Sequence, residues 1–298
     1  MILVFGGNGQ LGQELARAAA LKTIPLETLS QSEVDIAEGA AVASVLSSIE
    51  PTLVVNAAAY TKVDLAETNV EEARRSNEIG PAVIASACAD AHLPMLHIST
   101  DYVFDGTKEG AYLETDTVCP ISVYGRTKAA GEQAVRGTLR RHIILRTAWV
   151  YSEFGHNFLK TILHLAATRD ELRIVADQRG APTSAREIAS AILRIAPRLL
   201  QGEDVSGTYN FTAEGVTTWH GFASRVVAIQ APLTGRSPHV TPIKTSDYPT
   251  AAKRPANSQL DCRLFAKVFG FSGPYWTEGV DMTTRALITA SQRTAHVA

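Results

Sequence analysis

Two residues spaced four apart, Tyr124 and Lys128, and the polar run Ser99-Thr100-Asp101 are the parts of this sequence best suited to acid–base chemistry. On a helix such a pair shares one face, a single turn apart. A phenol, which ordinarily titrates near a pH of about 10, is a poor acid or base at neutral pH. A neighbouring ammonium favours the phenolate and brings that pKa toward working pH. Taken alone, Tyr-x-x-x-Lys arises by chance in many proteins, where an exposed tyrosine rests on a lysine stem. Its meaning comes from its company. Met95 to Ser99 reads as a buried strand, so Thr100 and Asp101 stand where that strand ends. Thr100 is placed to hydrogen-bond a substrate carbonyl between Tyr124 and a hydride donor, and Lys128 can also hold ribose hydroxyls.

The hydride donor has its own signature at the start of the chain. Gly6-Gly7-Asn8-Gly9-Gln10-Leu11-Gly12 satisfies both Gly6-x-x-Gly9-x-x-Gly12 and Gly7-x-Gly9-x-x-Gly12. Glycines without a Cβ permit a tight turn and let backbone N–H groups approach a pyrophosphate seated on a helix N-terminus. An apolar strand before and an alanine-rich helix after give the pattern its context. The dinucleotide is either NADPH or NADH. The second strand runs into Leu29-Ser30-Gln31, which offers neither the carboxylate that selects NAD nor the Arg that selects NADP. Asp35 can reach the adenine or cap the turn before Ala37. The third strand ends Asn56-Ala57-Ala58-Ala59-Tyr60, small residues against which a flat ligand can lie.

These groups need a scaffold that gathers strand ends at one edge. Short apolar strands alternate with helical patterns through the first half: strands at Ile2 to Phe5, Ile24 to Leu29, Leu53 to Asn56, Met95 to Ser99 and Ile143 to Trp149. Helices read at Gln10 to Leu21, Ala40 to Ile49, around Glu71 to Glu78, Pro81 to Ala91 and about Val123 to Arg136. This alternation specifies an α/β fold, a doubly wound parallel Rossmann sheet. After Trp149 the texture turns polar and rich in Pro, Gly and Thr, interrupted by helices at Asn157 to Thr168 and Glu187 to Leu200. We read 1–150 as the NAD(P)-binding domain and 151–298 as mainly a smaller substrate-binding lobe, with some segments free to return to the main sheet. The tail after Ala290 reads as frayed.

Composition narrows the class. With 298 residues, 45% of them hydrophobic and 19% charged, the chain can bury a large core. A net charge of -2 with scattered basic residues gives no nucleic-acid or membrane-surface footprint. The three cysteines, Cys88, Cys119 and Cys262, match no metal spacing or disulfide framework. Glycines follow Met1 to Phe5 at once and no basic region precedes it, so no signal peptide is expected. No apolar run approaches the roughly 18 residues of a membrane span. The expected location is the cytoplasm.

With these motifs together, the sequence resembles the extended short-chain dehydrogenase/reductases that act on nucleotide sugars, and among them the dTDP-4-dehydrorhamnose reductase family. The resemblance is carried by Phe5 to Gly12, Asn56 to Thr61, Ser99 to Gly106 and Val123 to Lys128. It continues through Arg146 to Tyr151, Asn157-Phe158, Asp177 to Thr183 and Arg254 to Ser258, almost the whole chain in the family's order. It implies reduction of the C4 keto group of dTDP-4-dehydro-6-deoxy-L-mannose by NAD(P)H, giving dTDP-L-rhamnose for surface polysaccharide. Thr100, Tyr124 and Lys128 are then the catalytic set. Gly6, Gly9, Gln10, Leu11, Gly12, Asp35, Ile36, Ala58, Ala59 and Tyr60 line the dinucleotide, with Tyr124 and Lys128. Thr100, Asp101, Trp149, Arg254 and Asn257 meet the substrate. Without the resemblance Trp149 reads as a core residue and Arg254 and Asn257 as a polar loop, though an Arg fork does match diphosphate oxygens. The resemblance also brings in a homodimer and magnesium. Glu14 and Glu187 could ligate the ion, but their spacing compels nothing and the metal stays unassigned. Two other readings remain open: an epimerase or dehydratase of the same superfamily, and a non-catalytic regulatory relative.

Overall fold

Runs such as Leu53-Val54-Val55 lack the alternation of a half-wet strand because both of their faces are covered. The computed structural model describes residues 1–297. In chain order its first half runs β1 (Ile2–Phe5), α1 (Gln10–Leu21), β2 (Leu26–Leu29), α2 (Gly39–Ile49), β3 (Leu53–Asn56), α3 (Val63–Ala66), α4 (Val70–Arg74), α5 (Gly80–Asp90), β4 (Met95–Thr100), α6 (Val123–Thr138) and β5 (His142–Thr147). The second half adds β6 (Val150–Tyr151), α7 (Phe158–Thr168), β7 (Glu171–Val175), β8 (Arg179–Gly180), β9 (Thr183–Ser184), α8 (Ala185–Leu200), β10 (Gly207–Asn210), β11 (Thr217–Thr218), α9 (Trp219–Thr234), β12 (His239–Ile243), α10 (Arg263–Phe269) and α11 (Trp276–Val297).

Six strands form one sheet in the order β10-β5-β4-β3-β1-β2, and every pairing in it is parallel. Successive residues of a strand point to opposite faces. Ile2, Val4, Leu53, Val55, Ile143 and Leu145 therefore pack under α1 and α8, while Leu3, Phe5, Val54, Met95 and Ile144 pack under α2, α5 and α6. Burying each such aliphatic side chain is worth about 1.5–3 kcal/mol. The chain leaves β1 for β2 on one side and β3 on the other, so a crevice opens at the carboxyl ends of β1 and β3, where open α/β sheets bind ligands. A separate apolar cluster, with Trp149, Tyr151, Ile162, Phe222 and Val280, builds the lobe from α7, α9 and α11.

Several boundaries differ from the sequence expectation for local reasons. The second strand begins at Leu26 because the Ile24 N–H is taken by the Ala19 carbonyl at the end of α1. The strand expected to reach Trp149 stops at Thr147, since Trp149 has a left-handed φ of 49°. The helices expected around Glu71 and from Pro81 are joined by a wide π turn, Arg75–Ile79, just ahead of Pro81. The tail after Ala290, expected to fray, continues α11 as far as Val297; Ala298 lies outside the described residues. No helix among the described residues is long and apolar enough to cross a membrane.

Candidate active site

β4 delivers Thr100 and Asp101 to the carboxyl edge of the sheet, and both are buried. α6 starts opposite them. Ser122 caps it by accepting the Gly125 N–H at 3.1 Å. A Cβ on Gly125 would lie 2.2 Å from the Tyr102 carbonyl oxygen, so only glycine lets the first turn of α6 press against the residue after Asp101. The three residues expected to act together are thus brought together. The Thr100 hydroxyl donates to Asp101 Oδ1 at 3.0 Å and lies near enough to the Tyr124 phenol to favour its ionised form. Lys128 Nζ donates to the Ile98 carbonyl at 2.7 Å, one side of the same strand.

The electrostatics depart from the expectation in one respect. Burial pushes the Tyr124 phenol up to about 12, partly offset by Thr100 and reinforced by Asp101. Lys128, bonded to Ile98, does not set that pKa. The phenol is therefore a held proton rather than a ready phenolate, which suits a donor. Desolvation pulls Lys128 down to about 8, with Glu132 partly resisting. Burial raises Asp101 to about 6 against hydrogen bonds from Ser258 and Thr100. Lys128 thus loses its proton as the pH rises through about 8. The rate of the free enzyme, read as kcat/KM, is expected to fall on that alkaline side, and Lys128→Arg to move the fall upward. An unchanged limb in the arginine variant would assign it to another group.

The dinucleotide cleft fits its expected occupant. A Cβ on Gly12 would stand 2.3 Å from the Gly6 carbonyl oxygen, and one on Gly6, with φ of 94°, 2.6 Å from Ala58 N. Gly9 begins α1 with no side-chain cap, so the first-turn N–H groups face outward for an anion. Gly6, Gly9, Ser30, Gln31, Asp35, Ile36, Ala58 and Ala59 line one cleft of about 210 Å³. Asp35 does cap the turn, its Oδ1 accepting the Ala37 N–H at 2.9 Å, and Arg75 pairs with Oδ2 at 2.9 Å. Leu11 is buried against the sheet core, and Gln10 Oε1 accepts from Asn157 at 2.9 Å, tying the loop to the lobe. Tyr60 is buried beside Val123 and Tyr124.

The structure also supplies parts that motif reading missed. Asn77, in the π turn, accepts the Tyr60 N–H at 2.8 Å and donates to the Tyr60 carbonyl and to Thr127 Oγ1. It joins the end of the Ala57–Tyr60 segment to α6, and the only sequence cue was Pro81 behind it. Asp64 pairs with Arg254 at 2.6 Å and accepts the Ala252 N–H. Trp219 stacks on Trp149 with ring centroids 3.7 Å apart. Arg254 is held by its pair with Asp64, and its charge opposes the burial that raises the Tyr102 phenol, next to Asp101. Asn257 does not present its amide: it is buried, with both protons given to the Lys108 and Gly110 carbonyls at 2.8 Å. In this conformation it fixes the loop that follows Arg254 to the 108–110 turn.

The acids considered for magnesium are engaged separately. Glu14 is buried between Ser152, at 2.7 Å, and Arg17. Glu187 lies against Gly279, and burial raises its carboxyl to about 7. Among the described residues no three His, Cys, Asp or Glu side chains converge on a metal position.

A six-stranded parallel sheet with a glycine cradle at its switch point and a Thr-Tyr-Lys set at the same edge defines a dinucleotide-dependent oxidoreductase of the short-chain type. Residues 1–288 match the family model described as the RmlD substrate binding domain. The dTDP-4-dehydrorhamnose reductase of Sinorhizobium fredii (strain NBRC 101917 / NGR234) is 43% identical over 291 residues, 97% of each chain. That of Escherichia coli (strain K12) is 40% identical over 97% of this chain and 99% of its own. Among solved structures, a Bacillus anthracis dTDP-4-dehydrorhamnose reductase in complex with NADP superposes with a TM-score of 0.87 at 32% identity, covering 95% of this chain and 97% of that one. The chain belongs to the dTDP-4-dehydrorhamnose reductase family.

Proposed function

We propose that this protein reduces the C4 keto group of dTDP-4-dehydro-6-deoxy-L-mannose with NAD(P)H, giving dTDP-L-rhamnose. The observation that carries the reading is the Tyr124 phenol, kept protonated by burial and set beside Thr100 at the sheet edge that carries the glycine cradle. Bound NAD(P)H supplies the hydride to C4. Thr100 orients the carbonyl oxygen, and Tyr124 Oη gives its proton to that oxygen as the C=O π bond opens. Lys128 holds ribose hydroxyls with the protons that Ile98 does not take. Asp101 and Trp149 bound the sugar, and Arg254 holds the diphosphate. Cytoplasmic location and a homodimeric unit belong to the same reading. Three free cysteines fit a reducing compartment, and sedimentation velocity tests the dimer.

The experiment is NADPH oxidation with the C4-keto sugar nucleotide, followed by identification of the product. Stoichiometric oxidation with formation of dTDP-L-rhamnose is expected. Asp101, raised to about 6 beside Thr100, is the observation that favours a dehydratase or epimerase instead. Tightly held NAD and no net NADPH consumption would select that reading, and failure with every dTDP-4-keto sugar would select a regulatory protein.

Two further outcomes follow from the same site. NADH and NADPH should be used within about a hundredfold of each other. Ser30 and Gln31 line the cleft without a decisive charge, and each tenfold preference needs about 1.4 kcal/mol; steady-state kinetics with both cofactors decide it. Arg254→Ala should raise KM for the sugar nucleotide about ten- to a hundredfold and depress kcat less, the pattern of lost uniform binding. A kcat collapse at constant KM would place Arg254 at the reacting carbon.

A further inference from the structure

Among the described residues, four other than glycine have positive φ: Thr23, Glu50, His92 and Trp149. The first three stand at the ends of α1, α2 and α5, where a left-handed residue is a usual way to stop a helix. Trp149 has no such excuse. It follows β5, two residues past Thr147, the position that pairs with the catalytic Thr100. A bulky aromatic with φ of 49° at the ligand edge is strained backbone, and surrounding structure must hold it there.

That surrounding structure is specific. The Trp149 and Trp219 rings stack at 3.7 Å with planes 11° apart. Trp219 in turn gives its indole N–H to Gln178 Oε1 at 3.0 Å, and Gln178 Nε2 donates to Thr245 at 3.0 Å. Phe158 closes on Trp219 at 4.7 Å. A Cβ on Gly180 would fall 2.5 Å from Trp149 Cε2, so the glycine makes room for the indole. Gly180 pairs with Thr217, and the neighbouring Arg179 is hydrogen-bonded to the segment carrying Arg254. We propose that Trp219 is a positioning residue: through its stack it fixes the plane of the largely buried Trp149 indole, the side chain set against the deoxysugar of the bound nucleotide sugar. This rests on Trp149 contacting the substrate, as the proposed function has it.

The chain has three tryptophans, so the stack can be watched directly, because two closely stacked indoles give an exciton couplet in far-ultraviolet circular dichroism. The couplet is expected in the wild type, to persist in Trp276→Phe, to vanish in Trp219→Leu and in Trp149→Phe, and to change when dTDP-L-rhamnose is titrated in. Trp219→Leu should raise KM for the sugar nucleotide about three- to tenfold, the worth of a lost aromatic pair, with kcat and the NADPH KM nearly constant. Trp219→Phe, which can still stack, should recover most of that loss. Should Trp219→Leu not fold, Gln178→Ala keeps the apolar cluster and should show the same split. A raised KM in Trp149→Phe with none in the Trp219 and Gln178 variants would overturn the positioning role while leaving the contact at Trp149 intact. Unchanged KM in Trp149→Phe would overturn both.

Discussion

Replacing Tyr124 with phenylalanine is expected to lower kcat by about 10²–10⁴-fold, the usual worth of a positioned general acid. The ring keeps its packing: it makes an edge contact with Tyr102 at 5.5 Å and adjoins the Tyr60 and Val123 cluster, none of which needs the hydroxyl. Cofactor affinity should therefore stay near wild type, because Lys128 and the glycine cradle are untouched. Equilibrium binding of NADPH alongside single-turnover reduction separates the two quantities. A variant within about twofold of wild-type kcat would remove Tyr124 from the donor role, since no other loss of that size is available from one hydroxyl.

Arg146→Met should cost about 3–5 kcal/mol of stability, the penalty for leaving a buried charge without its partner. Arg146 and Glu132 are almost wholly buried, joined by Nε to Oε1 at 2.8 Å and Nη2 to Oε2 at 2.7 Å. Burial alone would raise the Glu132 carboxyl, but Arg146, Ser99 and Arg136 overcome it and hold the pKa below the usual value. Stability from this pair is thus present above the unfolded pKa and lost as pH falls through the folded one. Arg136, still 3.0 Å from Glu132, should keep the loss toward the lower end. Denaturant unfolding at neutral pH measures it, and Glu132→Leu with Arg146→Met should recover part of it. A single-variant loss under about 1 kcal/mol would mean that the pair is no more than a surface bridge.

What could be read from the sequence follows the range of the interactions. The placement of Thr100, Tyr124 and Lys128 at one sheet edge was legible because each sits at a local landmark, a strand end or one helical turn. The glycine loop was legible because steric need maps directly onto residue type. Asp64, Asn77 and Trp219 were not, since their partners Arg254, Thr127 and Trp149 lie far along the chain. Helices α9, α10 and α11 escaped for a related reason. α9 carries Pro232 within it, and its apolar residues are divided between Trp149, α7 and α11 rather than gathered in one stripe. The parallel pairing of β7 with β12 joins residues 171–175 to 239–243, a distance no local pattern can span. Asn257, offered as a ligand contact by the resemblance and as a polar surface loop by its local sequence, instead has its amide buried among carbonyls far along the chain.

The place of β10 beside β5 sets a schedule for the ribosome. When Thr147 leaves the exit tunnel, β5 has one open edge, and the sheet face of Ile2, Val55, Ile143 and Leu145 still awaits α8. About 60 more residues must be made before that edge is paired, which at roughly 5–20 residues per second takes roughly 3–12 s. Through that interval the nascent chain carries an apolar strand with one unpaired edge, the kind of template on which chains aggregate. The protein should therefore lean on holdase chaperones during synthesis, and pause-inducing codons between residues 150 and 207 should lower its soluble yield more than equal pauses placed after residue 210.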